Sequence, residues 1–509
     1  MFAKDALEEI AQLRRQTTSP QHQLDRRWLA QYRELASYDS YWWLTWAGPF
    51  TEEEQQRWTH LFTPPVDEVS RGQLAVLLKQ SRERELAAAL AEHREPRLHY
   101  PAIEIKEVRR RIADLLQLDT QIGQEEHNAI VRRLYHGAIE EEIDFLRLIE
   151  STHEGNTERF WECNLRLCPL PTAEDMYEAL SRVRRALRQG LTHPETAEVS
   201  QRLDGFLRTH LHLAYDLSSP EEESLQGQET PQSSLPPERE VSAQAARRFF
   251  EAVLRECGYD GWRVVIDPNG SGTRVEQGLR QMFLPEQQFS LEKIRHLLSH
   301  ELLGHVERCE AGGRSPLGLL GIHTKNSLPT EEGVALYYER QVAALHGQIF
   351  NDTGIWRGTL ATGLASGVVT PPQTFLSLFT FLELFSLLNR LLKNPGADVQ
   401  RAQRQARTYA LSACLRTFRG VSDLGRAGVC YLQDAVYLHG LHLIEHAVAQ
   451  DETVLDRLAV GVVALELLPD LQELGITTAP QPLRKLAYDP DLDSSILSFQ
   501  VTEEEKKHA

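Results

Sequence analysis

Two histidines standing five residues apart in an apolar, helix-forming run constrain this chain more than any other feature. The run is Leu297-Leu-Ser-His-Glu-Leu-Leu-Gly-His-Val306, and it carries His300, Glu301 and His305. At about 100° per residue, an α-helix turns residues five apart roughly 140° away from one another, so the two imidazoles cannot face one point on a regular helix. Either the helix is distorted between them, in which case Gly304 is the residue best able to permit a π-bulge or a break, or the acting pair is His296 and His300. Those two stand at the i, i+4 spacing of an undistorted helix. Ser290 is the expected N-cap of this helix.

Imidazoles are good zinc ligands, and a carboxylate beside one can take a proton from water held at the metal. A catalytic zinc ion lowers the pKa of water from about 15.7 to about 7, worth roughly 12 kcal/mol, which no side chain alone supplies at neutral pH. A third ligand is sought downstream, where Thr330-Glu-Glu-Gly-Val-Ala-Leu-Tyr-Tyr-Glu-Arg340 follows Pro329. It reads as a new helix with acidic residues in its first turn. Either Glu331 or Glu332 could reach the ion, although carboxylates there would also suit a helix N-terminus with no metal. Cys309, four residues after His305, reads as a small buried group rather than a thiolate ligand. The face formed by His439, His442 and His446 reads as structural or pocket-lining.

With HELLGH at 300–305, TEEGVALYYER at 330–340, a preceding strand-turn-strand containing Ser271-Gly272, and Cys430-Tyr-Leu-Gln-Asp-Ala-Val-Tyr-Leu-His-Gly440, the chain resembles the family named for a domain of unknown function and a QEGLA motif. That family includes the microtubule-associated tyrosine carboxypeptidases. The resemblance implies a zincin-like metallopeptidase holding one Zn2+ ion on His300, His305 and Glu332, with Glu301 as general base. It thereby favours His305 over His296 and Glu332 over Glu331. The implied activity is removal of a C-terminal, tyrosine-like residue from a peptide or protein, which requires a cation for the substrate carboxylate. Arg274, Arg280 and Lys325 lie in suitable stretches for that role, while Tyr337, Tyr338 and Tyr437 are candidate hydrogen-bond donors to an oxyanion. A metal-binding scaffold without turnover and a non-peptide amidohydrolase are the competing readings.

The fold class expected is α+β, predominantly α-helical, with a zincin-like domain and small β-sheet preceded by a helical region. Ile103–Leu118 repeats Ile105, Val108, Ile112, Leu115 and Leu116 at three- and four-residue steps, and 130–150 does the same. Trp262–Asp267 reads as a strand, ended by the turn Pro268-Asn-Gly-Ser-Gly, and 274–284 as an extended partner. A Ser-, Pro- and Glu-rich stretch at 218–240 cannot bury enough apolar area to order itself. It divides a helical extension (1–95) and a helical domain (96–217) from the catalytic domain (241–490), with 491–509 expected to be a loose tail.

The formal charge, 55 − 73 = −18, argues against a nucleic-acid or anionic-membrane surface, which needs clustered cations. Six scattered cysteines without CxxC spacing point to a reducing compartment, and the N-terminus lacks the pattern of a secretory signal. A cytoplasmic location is the expectation. Phe375–Leu392 is apolar but carries Glu383, Asn389 and Arg390, so a buried helix is expected rather than a membrane span.

Overall fold

In the computed structural model, residues 4–16, 23–36, 53, 54, 56, 68–100, 104–215, 239–268 and 272–500 are described. The architecture is α+β and predominantly helical. In chain order the first helices are α1 (Lys4–Gln16), α2 (Arg26–Ala36), α3 (Glu68–Glu92), α4 (Ile105–Glu125), α5 (Ala129–Glu154), α6 (Thr157–Leu167), α7 (Ala173–Thr192) and α8 (Ala197–His210). The three- and four-residue apolar steps read at 103–118 and 130–150 become α4 and α5. Their Val108, Leu115, Val131, Leu134 and Ile139 are buried, whereas Leu116 turns to solvent. Asn128 caps α5 by accepting from the Ile130 and Val131 amides, and Gly155 ends it in the left-handed conformation, the asymmetry expected of helix termini.

Most of the segment 218–240 and the centre of the turn after Asp267, including Ser271, lie outside the described residues. Glu240–Ser242 forms β1, followed by α9 (Ala243–Glu256), capped by the Ser242 side chain on the Ala245 amide. Next come β2 (Arg263–Asp267), β3 (Arg274–Glu276), β4 (Gln281–Pro285) and β5 (Gln288–Ser290). The expected pairing partner of β2 is β4, which runs parallel to it, and β3 then lies antiparallel on the far side of β4. The order β2-β4-β3 leaves β3 as an edge strand. β1 pairs with β5 in a separate two-stranded sheet, bringing Glu240 opposite Ser290.

Ser290 accepts from the Lys293 amide and so starts α10 (Leu291–Leu297), which runs without a break into a π-helix at Leu298–Val306 and then α11 (Glu307–Gly313). The helix carrying Glu331 and Glu332 is α12 (Ser327–Leu345), and it begins earlier than the sequence suggests. Asn326, in the left-handed conformation, precedes it, and Pro329 sits in its first turn, where the missing amide hydrogen costs nothing. Glu331 and Glu332 are therefore in the second turn, not at the N-terminus.

The remaining long helices are α13 (Thr353–Ser366), α14 (Phe375–Lys393), α15 (Val399–Thr417) and α16 (Val436–Gln450). Among the described residues, buried apolar side chains form two clusters. One gathers Trp28 and Tyr32 of α2 with α4, the sheets, α9–α12 and the C-terminal segments up to Ile496. The other gathers α6–α8 with α13–α15, and each cluster draws on residues from both sides of 218–240. α14 is long and apolar enough to cross a membrane by composition alone. Its Phe375, Leu378, Phe379, Phe381, Leu382, Phe385 and Leu388 are nevertheless buried within the second cluster, where each contributes about 1.5–3 kcal/mol.

Residues 492–497, expected in a loose tail, form a helix with Leu492 and Ile496 buried, and Asp493 pairs with Arg295. Residues 501–509 lie outside the described region. All six cysteines are free and buried.

Candidate metal centre

Three elements meet at the centre: the π-helix, α12 and α16. The i→i+5 closure of a π-helix brings residues five apart nearly into line, and the ring centroids of His300 and His305 are 5.2 Å apart. The distortion required by the spacing is thus present. Gly304 has a second role, because a Cβ built there would stand 2.5 Å from the Cβ and 2.7 Å from the Cα of Ala335. Only a glycine lets α12 approach so closely. On its opposite side, α12 touches α16 at Gly333, where a Cβ would lie 2.1 Å from the carbonyl oxygen of Gly440. Two glycine contacts therefore wedge α12 between its neighbours and fix the depth of its carboxylates.

Ligand atoms of His300, His305 and Glu332 lie within 4.8 Å of one another, the arrangement among the described residues that could hold a metal ion. Glu332 Oε2 stands 3.7 Å from His300 Nε2 and 3.9 Å from His305 Nε2. It is buried and has no hydrogen-bond partner. Burial raises the Glu332 pKa against the opposing pull of the two imidazoles, as expected for a carboxylate short of a cation. A tetrahedral ion with bonds of about 2.0–2.2 Å holds its donors roughly 3.3–3.6 Å apart, so the two His–Glu spacings lie near those of a bound divalent ion, and the set as a whole, spread within 4.8 Å, contracts to hold one.

The outward-facing imidazole nitrogens face carboxylates, hydrogen-bonded in the case of His305 and at ion-pair distance in the case of His300. His305 Nδ1 is 2.8 Å from Glu331 Oε1, and Gln277 donates to the same oxygen at 3.1 Å. Burial alone would lower the pKa of His305, but Glu331, joined by Glu332 and Glu301, lifts the imidazole to about 9. His300 Nδ1 faces Glu339 Oε2 at 3.3 Å, while Glu339 Oε1 is 2.6 Å from His296 Nδ1. Although burial opposes ionisation of Glu339, its two histidine partners hold it down at about 2. His296, the ligand on an undistorted helix, is therefore engaged by Glu339. Beneath these groups Arg308 is fully buried and donates to the carbonyls of Leu458 and Gly461.

A cavity of about 450 Å³ opens over the three candidate ligands, lined also by Val275, Gln277, Glu301, Glu331 and Tyr437. Glu301 thus shares the cavity with the candidate ligands. Tyr437 enters from α16, and the nearby Glu332 carboxylate, followed by burial, raises its phenol pKa.

The other expected substrate-binding residues are not brought there. Arg274 pairs with Asp267 and Glu276 and lies 3.8 Å from the centroid of the Phe283 ring, Arg280 pairs with Glu310, and Lys325 pairs with Glu140. Tyr337 packs at the edge of the first core beneath Arg340, and the Tyr338 hydroxyl donates to Gln481. Each cation lies near the centre in sequence, but a closer carboxylate captures it. Cys309 is buried and its thiol faces the Gly321 carbonyl. His442 is held by Asp175 and Glu178, tying α16 to α7.

Sequence reasoning missed Glu339 and Gln277. Glu339 lies seven residues after Glu332, hence on the same helix face, and that spacing could have flagged it; Gln277 carries no such signal.

No protein-family profile matches the chain, and no curated protein matches it. Among solved structures, the chain aligns with one described as Pyrococcus furiosus carboxypeptidase apo-Mg, over 100% of both chains at 12% identity and a TM-score of 0.27, a likeness too faint to carry an argument.

Proposed function

We propose that this chain is a zinc-dependent metallopeptidase. The observation that carries the reading is the convergence of His300, His305 and Glu332 ligand atoms within 4.8 Å, around a buried carboxylate oxygen with no other partner. Zinc bound there supplies Lewis acidity, polarising a scissile carbonyl and making water acidic near neutral pH. Glu301, in the wall of the same cavity, accepts the proton of the attacking water and delivers it to the leaving amine. Tyr437 donates a hydrogen bond toward the oxygen on which negative charge develops. Glu331 and Glu339, facing Nδ1 of the two imidazoles, would leave each Nε2 free to serve as a ligand atom.

The substrate in this reading is a peptide or protein C-terminus, trimmed by one tyrosine-like residue. This narrowing is supported by the resemblance of HELLGH and TEEGVALYYER to the tyrosine carboxypeptidase family.

The test is metal analysis of the purified chain together with hydrolysis of peptides ending in tyrosine, as free acids and as amides. The expected result is about one zinc per chain, cleavage of the free acid, and loss of cleavage with retained zinc in Glu301→Gln. Absence of zinc, or undiminished activity in Glu301→Gln, would sink the peptidase reading. Zinc without hydrolysis of any peptide would favour a metal-binding scaffold.

A further inference from the structure

Behind the candidate metal centre, on the other side of Glu339, lies a second cavity of about 300 Å³ between α10 and the end of α12. Lys293, His296, Glu339, Val342, Ile349 and Phe350 are among its lining residues. The charges in its wall largely cancel in pairs: Arg295 is bound to Asp493, and His296 to Glu339. Outside those pairs the wall carries Lys293 and the exposed Glu292; Lys293 is the cation of the two. It is half-buried, and among the described residues its ammonium makes no ion pair or hydrogen bond. Burial lowers its pKa against the pull of the more distant Glu301, Glu339 and Glu292 carboxylates. A partly desolvated cation without a close partner favours an anion brought to it.

The apolar part of the wall has the same unfinished character. Ile349 is 58% exposed at the rim although it is a large aliphatic residue, and it lies beside Val342 and Phe350. A cavity of this size is at the lower end for small-molecule sites, which limits the occupant to roughly amino-acid dimensions.

We propose that this cavity binds a carboxylate carried on a small apolar group, with Lys293 as the counter-charge and Ile349 and Phe350 covering the apolar part. Two sources supply that chemistry: a separate small acid, or the free carboxylate of a peptide reaching past His296 from the first cavity. The inference stands on the second cavity alone and does not require the peptidase reading. Because Glu339 forms part of this wall and also holds His300, an occupant would sit one side chain away from a candidate metal ligand.

The test is calorimetric titration of 3-phenylpropanoate, with 3-phenylpropanamide as the uncharged comparison, into the full chain after metal removal by chelation. The acid is expected to bind saturably, with affinity falling about ten- to a hundred-fold in Lys293→Met, the loss typical of a charged hydrogen-bond partner, and recovering in Lys293→Arg. The amide should bind weakly and be indifferent to Lys293→Met. Ile349→Asp, a surface change that spares the core, should also weaken the acid by placing a like charge at the rim. Absence of saturable binding of the acid by the parent chain, or equal affinity in the parent, Lys293→Met and Ile349→Asp, overturns the proposal. Competition of the acid with a peptide substrate assigns the site to the peptide's own terminus, and binding without competition assigns it to a separate acid. Metal removal keeps this result independent of whether the first site binds zinc.

Discussion

Replacing Gly304 with alanine tests the claim that glycine contacts set the depth of Glu332, the carboxylate of the candidate metal centre. In a helix interior the change alone should stabilise by about 1 kcal/mol, because alanine loses less backbone freedom than glycine. The new methyl group, however, would stand 2.5 Å from the Ala335 Cβ and 2.7 Å from its Cα, so α12 must retreat by about 1 Å to restore van der Waals contact. It has little room to do so, since Gly333 on its other side already meets the Gly440 carbonyl. Overpacking of this kind costs about 1–3 kcal/mol, and the obstruction behind α12 places the cost near the upper end, for a net destabilisation of about 2 kcal/mol. The same displacement draws Glu332 away from the two imidazoles, so zinc affinity should fall about ten- to a hundred-fold, as for other disturbances of a ligand's support. Urea unfolding measures the first effect and chelator competition the second. Gly123→Ala in α4 is the control, because nothing lies within 4 Å of a Cβ there, and it should stabilise by up to about 1 kcal/mol. If Gly304→Ala matches the control and leaves zinc affinity unchanged, the wedging argument is wrong.

Other expectations address the candidate ligands, their supports and an unrelated half-buried carboxyl. Glu332→Gln should lose zinc outright, whereas Glu339→Ala and Glu331→Ala should each weaken it about ten- to a hundred-fold; chelator competition on all three distinguishes ligand from support, and equal losses would contradict the assignment. Burial, reinforced by the neighbouring Glu141, pushes Glu142 up to about 8 from an ordinary 4.5. The folded state therefore holds this proton more tightly than the unfolded chain, and its stabilising contribution, complete below about pH 4.5, is lost as pH rises through about 8. Glu142→Gln should flatten that decline, so urea midpoints at pH 5, 7 and 9 that fall equally in both proteins would count against it.

What the sequence made legible was local. Apolar residues at three- and four-residue steps gave α4 and α5, Ser290 gave the start of α10, and the five-residue spacing with Gly304 marked where a distortion would be needed for His300 and His305 to converge, which appears as a π-helix. These features depend on neighbours within a turn or two, and side-chain periodicity and capping record such neighbours directly. The acidic pair was also visible, but not its division of labour. Glu332 faces the imidazoles and Glu331 supports His305 because two glycine contacts, with Ala335 and Gly440, set the position of α12.

The substrate-binding cations were less legible for a related reason. Arg274, Arg280 and Lys325 are close to the centre along the chain, yet Asp267, Glu276, Glu310 and Glu140 engage them in space. An ion pair depends on distances across the fold, which spacing in sequence does not encode. The amino-acid sequence by itself determined the main helices, the place where a distortion would have to fall and the kinds of ligand available. Only the tertiary packing decided which carboxylate meets the histidines, which supports them, and which carboxylates take up the nearby cations, because those outcomes turn on ångström-scale approaches between elements far apart in the chain.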